Sequence, residues 1–197
     1  MTNQTISETN HVETTPLTII HILGWELDND PEQELWPSLG FSCFDISSNP
    51  ELEPHEIIKE LEADINTAIE SGHNVGLVGH SIGGYYAAYV AEKHKLPAVL
   101  INPLIKAYDS LLLASTLEDS PNLALIKTQL QELETATSQP DSIMVMLQTG
   151  DKLQDYQQAI DYYQDCKQIV LDGGSHRFDG LADWVTDITD FFNRYYE

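Results

Sequence analysis

Short apolar runs alternate with longer amphipathic segments along most of the chain. The runs are rich in Val, Ile and Leu, and they predict buried β-strands at residues 17–23, 41–46, 75–78, 98–101, 143–147 and 168–171. Strands that are apolar throughout, separated by amphipathic helices, are typical of a parallel sheet covered by helices on both faces. The pattern therefore predicts an α/β fold with a mostly parallel sheet of about six strands.

The clearest helices are those whose apolar residues recur every three or four positions. Pro54 opens the first of them, and the last closes the chain. Their predicted apolar faces consist of Ile57, Ile58, Leu61, Ile65 and Ile69, of Tyr156, Ala159, Ile160 and Tyr163, and of Leu181, Trp184, Val185, Ile188, Phe191, Phe192 and Tyr195.

Residues 105–139 break the alternation, because they separate two strands by more than a single crossover needs. Leu123, Ile126, Leu130 and Leu133 mark one amphipathic helix there, and the leucines at 111–113 and 117 suggest another. The segment is either a small helical cap over the site or a crossover with one extra helix. We treat residues 17–197 as one domain and residues 1–16, rich in Thr, Asn, Glu and Ser, as a mobile tail.

The chain is strongly acidic: 32 Asp and Glu against 9 Lys and Arg give its 197 residues a formal charge of -23. This balance argues against nucleic acid and anionic membranes as partners. No apolar run approaches a membrane span, and the N-terminus lacks the features of a secretory signal. Cys43 and Cys166 suggest reduced thiols and have no metal-site spacing. We therefore expect a cytoplasmic protein with a small-molecule substrate, no cofactor and no metal; the oligomeric state is left open.

One serine lies on a predicted strand–turn–helix. Gly79-x-Ser81-x-Gly83 follows the strand at 75–78 and precedes the helical segment that begins Tyr85-Tyr86-Ala87. This spacing and context are those of a nucleophile elbow, where a tight turn holds the serine clear of the backbone at the positive end of a helix. The alternative is a plain glycine-rich strand-to-helix turn, for which phosphate binding is one option.

A nucleophilic serine needs a base and an orienting acid. Of seven histidines, His176 lies in the loop after the last strand, whereas the side chain of His80 should point away from Ser81. The carboxyl ends of parallel strands share one edge of the sheet, so His176 can reach Ser81. Two aspartates follow the strand at 143–147. We favour Asp151 as the acid, and Asp155 is the alternative, although it fits a role in the first turn of a helix.

Several segments together resemble the small bacterial YqiA/YcfP-type esterases of the α/β-hydrolase superfamily. The resemblance runs from about residue 17 to the C-terminus. It rests on Gly79-His80-Ser81-Ile82-Gly83-Gly84-Tyr85-Tyr86-Ala87, Leu100-Ile101-Asn102-Pro103, Leu147-Gln148-Thr149-Gly150-Asp151 with Asp155-Tyr156, and Gly173-Gly174-Ser175-His176-Arg177-Phe178. It implies a compact α/β-hydrolase fold, a Ser81–Asp151–His176 triad and hydrolysis of short acyl esters.

The chain departs from that family at one point. The family usually has a His-Gly pair after its first strand, where this chain has Leu23 and Gly24. The oxyanion hole uses backbone N–H groups, here those of Ile82 and Trp25, and backbone donors can survive a side-chain change. Simple packing of Trp25 over the sheet edge is the other interpretation.

The sequence thus predicts a metal-free serine hydrolase acting on short carboxylic esters. Thioesters are the next substrate class. The alternative from a different functional class is a binding protein with the hydrolase fold and little turnover, which the altered segment at Leu23 suggests. An aspartate-rich metal site has no support, because no histidine and carboxylate stand at ligand spacing.

Overall fold

The computed structural model describes residues 15–24, 38, 42–44 and 52–197. Within them, six strands form one sheet in the order β2-β1-β3-β4-β5-β6, and every neighbouring pair is parallel. The strands are β1 (Leu17–Ile22), β2 (Ser42–Phe44), β3 (Asn74–His80), β4 (Ala98–Ile101), β5 (Ile143–Gln148) and β6 (Lys167–Leu171). The predicted parallel sheet is confirmed. Residues 41 and 45–46 of the second predicted strand, and residues 1–14 of the predicted tail, lie outside the described residues.

Helices connect most of these strands. They are α1 (Pro54–Glu70), α2 (Ile82–His94), α3 (Leu111–Thr116), α4 (Leu123–Glu132), α5 (Tyr156–Tyr162) and α6 (Val185–Tyr196). The closing helix begins with a 3-10 turn at Leu181–Trp184. Within the described part of the chain, no helix is long and apolar enough to span a membrane.

The pleat of the strands divides the core into two layers. Alternate residues of a strand face opposite sides of the sheet, and in β4 Leu100 packs on one side while Val99 and Ile101 pack on the other. The first side is covered by helices α1, α2 and α4, and the second by α6 through Phe191 and Phe192. Helices therefore cover both faces, as a buried parallel sheet requires.

Two details depart from the uniform apolar pattern. The last strand, β6, lies at an edge of the sheet, and Val170 is 42% exposed there. In α1, Ile57, Ile58 and the two apolar residues that follow them are buried, but Ile69 in the last turn is 46% exposed, so the predicted apolar face ends before it.

Residues 105–139 contain a 3-10 turn at Ala107–Asp109 and the helices α3 and α4. Their buried leucines, among them Leu113, Leu117 and Leu130, belong to the same core cluster as α1 and α2. The segment is thus anchored on that face of the sheet. Its first part borders the carboxyl ends of the strands, where the candidate site lies.

Candidate active site

Ser81 lies in the sharp turn between β3 and α2. Its backbone has φ 56° and ψ -121°, a conformation that non-glycine residues rarely adopt and that costs energy. The turn is crowded, since a Cβ at Gly83 would overlap the carbonyl oxygen of Ile22 in β1. This conformation places Ser81 at the amino end of α2, where the helix dipole favours developing negative charge.

The side chain of His176 joins Ser81 to Asp151. Nε2 of His176 lies 2.9 Å from Oγ of Ser81, and Nδ1 lies 2.7 Å from Oδ2 of Asp151. All three side chains are buried. The three residues belong to turns or loops that follow β3, β5 and β6, so the shared carboxyl edge of the sheet brings them together.

Asp151 uses both carboxylate oxygens. Oδ2 accepts the hydrogen bond from His176, and Oδ1 accepts from the backbone N–H groups of Leu153 and Gln154 at 2.8 and 3.1 Å. Burial alone would raise the pKa of Asp151, but the hydrogen bond and charge of His176, with those two backbone donors, hold it below the usual value. The carboxylate is therefore kept charged and fixed beside the imidazole.

Asp155 has a different position. It is the N-cap residue of α5, and its Oδ1 accepts the backbone N–H of Gln157 at 3.0 Å. The structure thus brings Ser81, His176 and Asp151 into one hydrogen-bonded chain and places Asp155 at a helix end.

The predicted oxyanion donors are described only in part. Ile82 is the first residue of α2, where a backbone N–H has no acceptor within the helix. Trp25 lies outside the described residues. The described residues just before it are close to Ser81: a Cβ at Gly24 would lie 2.8 Å from Cβ of Ser81, so only glycine fits there. Leu23, at the family's histidine position, is buried.

The sequence does not predict the contacts of two polar side chains, Gln154 and His80, around Ser81 and His176. Nε2 of Gln154 lies 3.3 Å from Oγ of Ser81. His80, whose side chain the sequence predicted to point away from Ser81, donates from Nε2 to the backbone carbonyl of His176 at 2.6 Å. Burial and the nearby charge of His176 lower the pKa of His80 to about 4, so its ring is neutral at pH 7. The two rings lie 5.3 Å apart.

A cavity of about 350 Å³ is lined by residues that follow β4 and β5. Gln154 lines it and also contacts Ser81. Its apolar wall includes Leu104, Leu111 and Leu153, and its charged residues are Lys106, Asp109 and Asp155. The cavity is therefore a space of mixed polarity, and one of its lining residues, Gln154, reaches Ser81.

Most of the other described histidines have partners away from this site. His73 pairs with Thr18, His94 with Glu62, and His55 with Glu132. His21 is buried in β1, where burial and the charge of His80 lower its pKa to about 3. Across residues 15–24, 38, 42–44 and 52–197, no group of three or more His, Cys, Asp or Glu could hold a metal ion.

The sequence matches a family described as "Uncharacterised protein family (UPF0227)" over residues 45–193, about three quarters of the chain. The chain belongs to this family. It is the family of the YqiA-like proteins, so the resemblance seen in the elbow, acid and histidine segments is confirmed.

Solved structures share the fold. Est1E from Butyrivibrio proteoclasticus, in a structure with ferulic acid bound, has a TM-score of 0.67 and 15% identity, with 94% of this chain and 91% of Est1E covered. A YdeN-like hydrolase from Pectobacterium atrosepticum has a TM-score of 0.64 and 15% identity over 91% and 92% of the two chains. A structure from work on the metagenome-derived lipolytic enzymes LipS and LipT has a TM-score of 0.65 and 11% identity over 92% and 94%. These similarities establish the α/β-hydrolase fold.

Proposed function

We propose that this protein is a serine hydrolase that cleaves short acyl esters through a covalent acyl-enzyme. The observation that carries the proposal is the hydrogen-bonded chain from Ser81 through His176 to Asp151, with Ser81 on a strained turn at the start of a helix. Nucleophile, base and orienting acid within hydrogen-bond reach of one another are what this chemistry requires.

The proposed reaction has two steps. Oγ of Ser81 attacks the acyl carbon while Nε2 of His176 takes its proton, and His176 then gives that proton to the departing alcohol. Water attacks the acyl-enzyme with His176 again as the base, which releases the acid and restores Ser81. Asp151 holds Nδ1–H of the imidazole and stabilises its charged form throughout.

The negative charge that forms on the acyl oxygen needs donors fixed in advance. We assign this role to the backbone N–H groups of Ile82 and Trp25. The position of Ile82 at the amino end of α2 and the close approach of Gly24 to Ser81 support it. Trp25 directly follows Gly24 in the sequence, and this adjacency supports its assignment.

The cavity that Gln154 lines supports a small substrate. Its volume of about 350 Å³ is near the lower end of the range for ligand pockets. Two aspartates and one lysine line it, and the whole chain is strongly acidic, so uncharged esters are favoured over anionic ones. Ferulic acid bound to Est1E and the lipolytic activity of LipS and LipT support an ester substrate. Thioesters of the same acyl groups are the second substrate class.

A binding protein with little turnover is the second candidate. The observation that favours it is Leu23, a buried leucine where the family usually has histidine, directly before the loop that should supply one oxyanion donor. A hole with one donor misplaced would slow acylation by about 10²–10³-fold.

Labelling with a fluorophosphonate probe separates the two candidates, because only an activated serine reacts. We expect the wild type to label at Ser81 and Ser81→Ala to remain unlabelled, with Ser71→Ala as a control that removes an exposed serine. A screen of p-nitrophenyl esters against acyl thioesters of matched chain length then identifies the substrate class. Absence of both labelling and turnover in folded wild-type protein would refute the hydrolase proposal in favour of the binding protein.

A further inference from the structure

The loop that carries His176 has little regular structure of its own. Between β6 and the 3-10 turn at Leu181–Trp184, its backbone takes positive φ at Gly173, Gly174, Phe178 and Gly180. Neither a strand nor a helix fixes the histidine, so contacts with neighbouring elements must hold it in place. Such placement matters because a shift of about 1 Å in a reacting group can cost roughly 10²-fold in rate.

Two buried side chains converge on the backbone carbonyl of His176. His80 donates from Nε2 at 2.6 Å, and Asn102 donates from Nδ2 at 3.0 Å. Nδ2 of Asn102 also donates to the carbonyl of Ser175 at 3.1 Å. Since a carbonyl oxygen only accepts, the neutral ring of His80 carries its proton on Nε2.

The two donors are part of a larger arrangement. Oδ1 of Asn102 accepts the backbone N–H of Gln148 at 3.0 Å, and Oε1 of Gln148 accepts the N–H groups of Ser175 and Asp179 at 2.9 and 2.8 Å. His80 and Gln148 are the last residues of β3 and β5, and Asn102 directly follows β4. We call His80, Asn102 and Gln148 the histidine-loop clamp.

We propose that His80 and Asn102 are positioning residues for the base. By holding the carbonyl of His176 at the strand ends, they direct its Nε2 to Ser81 and its Nδ1 to Asp151. This inference rests on the proposed function, in which His176 is the base. It predicts that loss of the clamp affects the chemical step, whereas a merely structural role would affect stability alone.

Variants at His80 test the donor itself. Leucine removes the donor, while the side-chain amide of glutamine can reach the same carbonyl. With p-nitrophenyl butyrate, we expect His80→Leu to lower kcat about 10- to 100-fold and to change KM less than about twofold. His80→Gln should recover most of kcat. The thermal midpoints of wild type, His80→Gln and His80→Leu should not follow the same order as their kcat values. An equal loss of kcat in the two variants would overturn the proposal.

Asn102 provides an independent test that does not depend on how the His80 variants fold. Asn102 has φ 39°, which glycine tolerates, so Asn102→Gly deletes the donor without adding backbone strain. We expect the same loss of kcat at unchanged KM. Asn122→Gly, at an exposed position before α4, is the matched control and should leave kcat unchanged. Wild-type kcat in Asn102→Gly would contradict the proposal.

A proton NMR measurement needs no substrate and separates failure of the clamp from failure of the hydrolase proposal. Nδ1–H of His176, bonded to Asp151, should give a low-field resonance that shifts or broadens in His80→Leu and Asn102→Gly. An unchanged resonance would overturn the clamp, even if Ser81→Ala still showed that the protein is a hydrolase. A changed resonance would support the clamp, even if the wild type hydrolysed no ester.

Discussion

The acid of the proposed triad can be tested by changing two aspartates that lie four residues apart. Asp151 is 2.7 Å from Nδ1 of His176, whereas Asp155 caps α5. Asp151→Asn keeps the shape of the side chain but removes its charge and favours the wrong imidazole tautomer. We expect kcat to fall by up to about 10⁴-fold, which corresponds to about 5 kcal/mol at about 1.36 kcal/mol per tenfold change.

Asp155→Ala is the matched comparison. It removes the N-cap bond to Gln157, so we expect a loss of about 1 kcal/mol in the free energy of unfolding. Because Asp155 also lines the cavity, any kinetic effect should appear in KM, with kcat within about twofold of wild type. Turnover of a p-nitrophenyl ester and urea unfolding of both variants give the answer. An inactive but stable Asp155→Ala together with an active Asp151→Asn would refute the assignment of Asp151.

Three further predictions concern other parts of the site. Ser81→Ala should lower ester hydrolysis by several orders of magnitude with the thermal midpoint preserved, and near wild-type turnover would exclude a serine nucleophile. Gly24→Ala should lower kcat by about 10²-fold, because its Cβ would lie 2.8 Å from Cβ of Ser81. Gly72→Ala is the comparison: Gly72 has open space around it but φ 79°, so its substitution should lower only stability. Burial lowers the pKa of His80 to about 4 in the folded state, whereas the unfolded chain binds this proton near pH 6.5. The free energy of unfolding should therefore fall by about 3 kcal/mol between about pH 6.5 and 4. Urea unfolding across this pH range should show this fall in the free energy of unfolding in wild type and not in His80→Gln. The same pH dependence of the free energy of unfolding in both proteins would contradict the prediction.

The architecture could be predicted because its strands are buried on both sides. A strand such as Ile143–Gln148, buried at every residue, has to be apolar along its whole length, and that run is visible in the sequence. The edges of the sheet are harder to predict. The exposed Val170 lies in β6, which has one neighbour among the described strands; where solvent replaces packing, the apolar pattern weakens.

The positions of the three proposed catalytic residues could be predicted from topology. Parallel strands bring their carboxyl ends to one edge, so residues after β3, β5 and β6 had to lie near one another. Gln154 could not be placed in this way. Its contact with Ser81 depends on how the chain turns after Asp151, and that turn is fixed by hydrogen bonds from Leu153 and Gln154 to the aspartate itself.

The two clamp residues that contact the carbonyl of His176 differ in how far sequence reasoning can reach. His80 follows the alternation of β3, so it shares a face with Val78, and Val78 packs in the same cluster as Phe178 from the histidine loop. The alternation along the strand therefore predicts that the side chain of His80 faces that loop. Asn102 follows no such rule. It comes one residue after β4 with φ 39°, and this left-handed turn redirects its side chain away from the alternation of the strand. A residue can thus be placed from periodicity while the backbone is regular, but beyond the last regular residue its direction depends on bonds that only the folded chain provides.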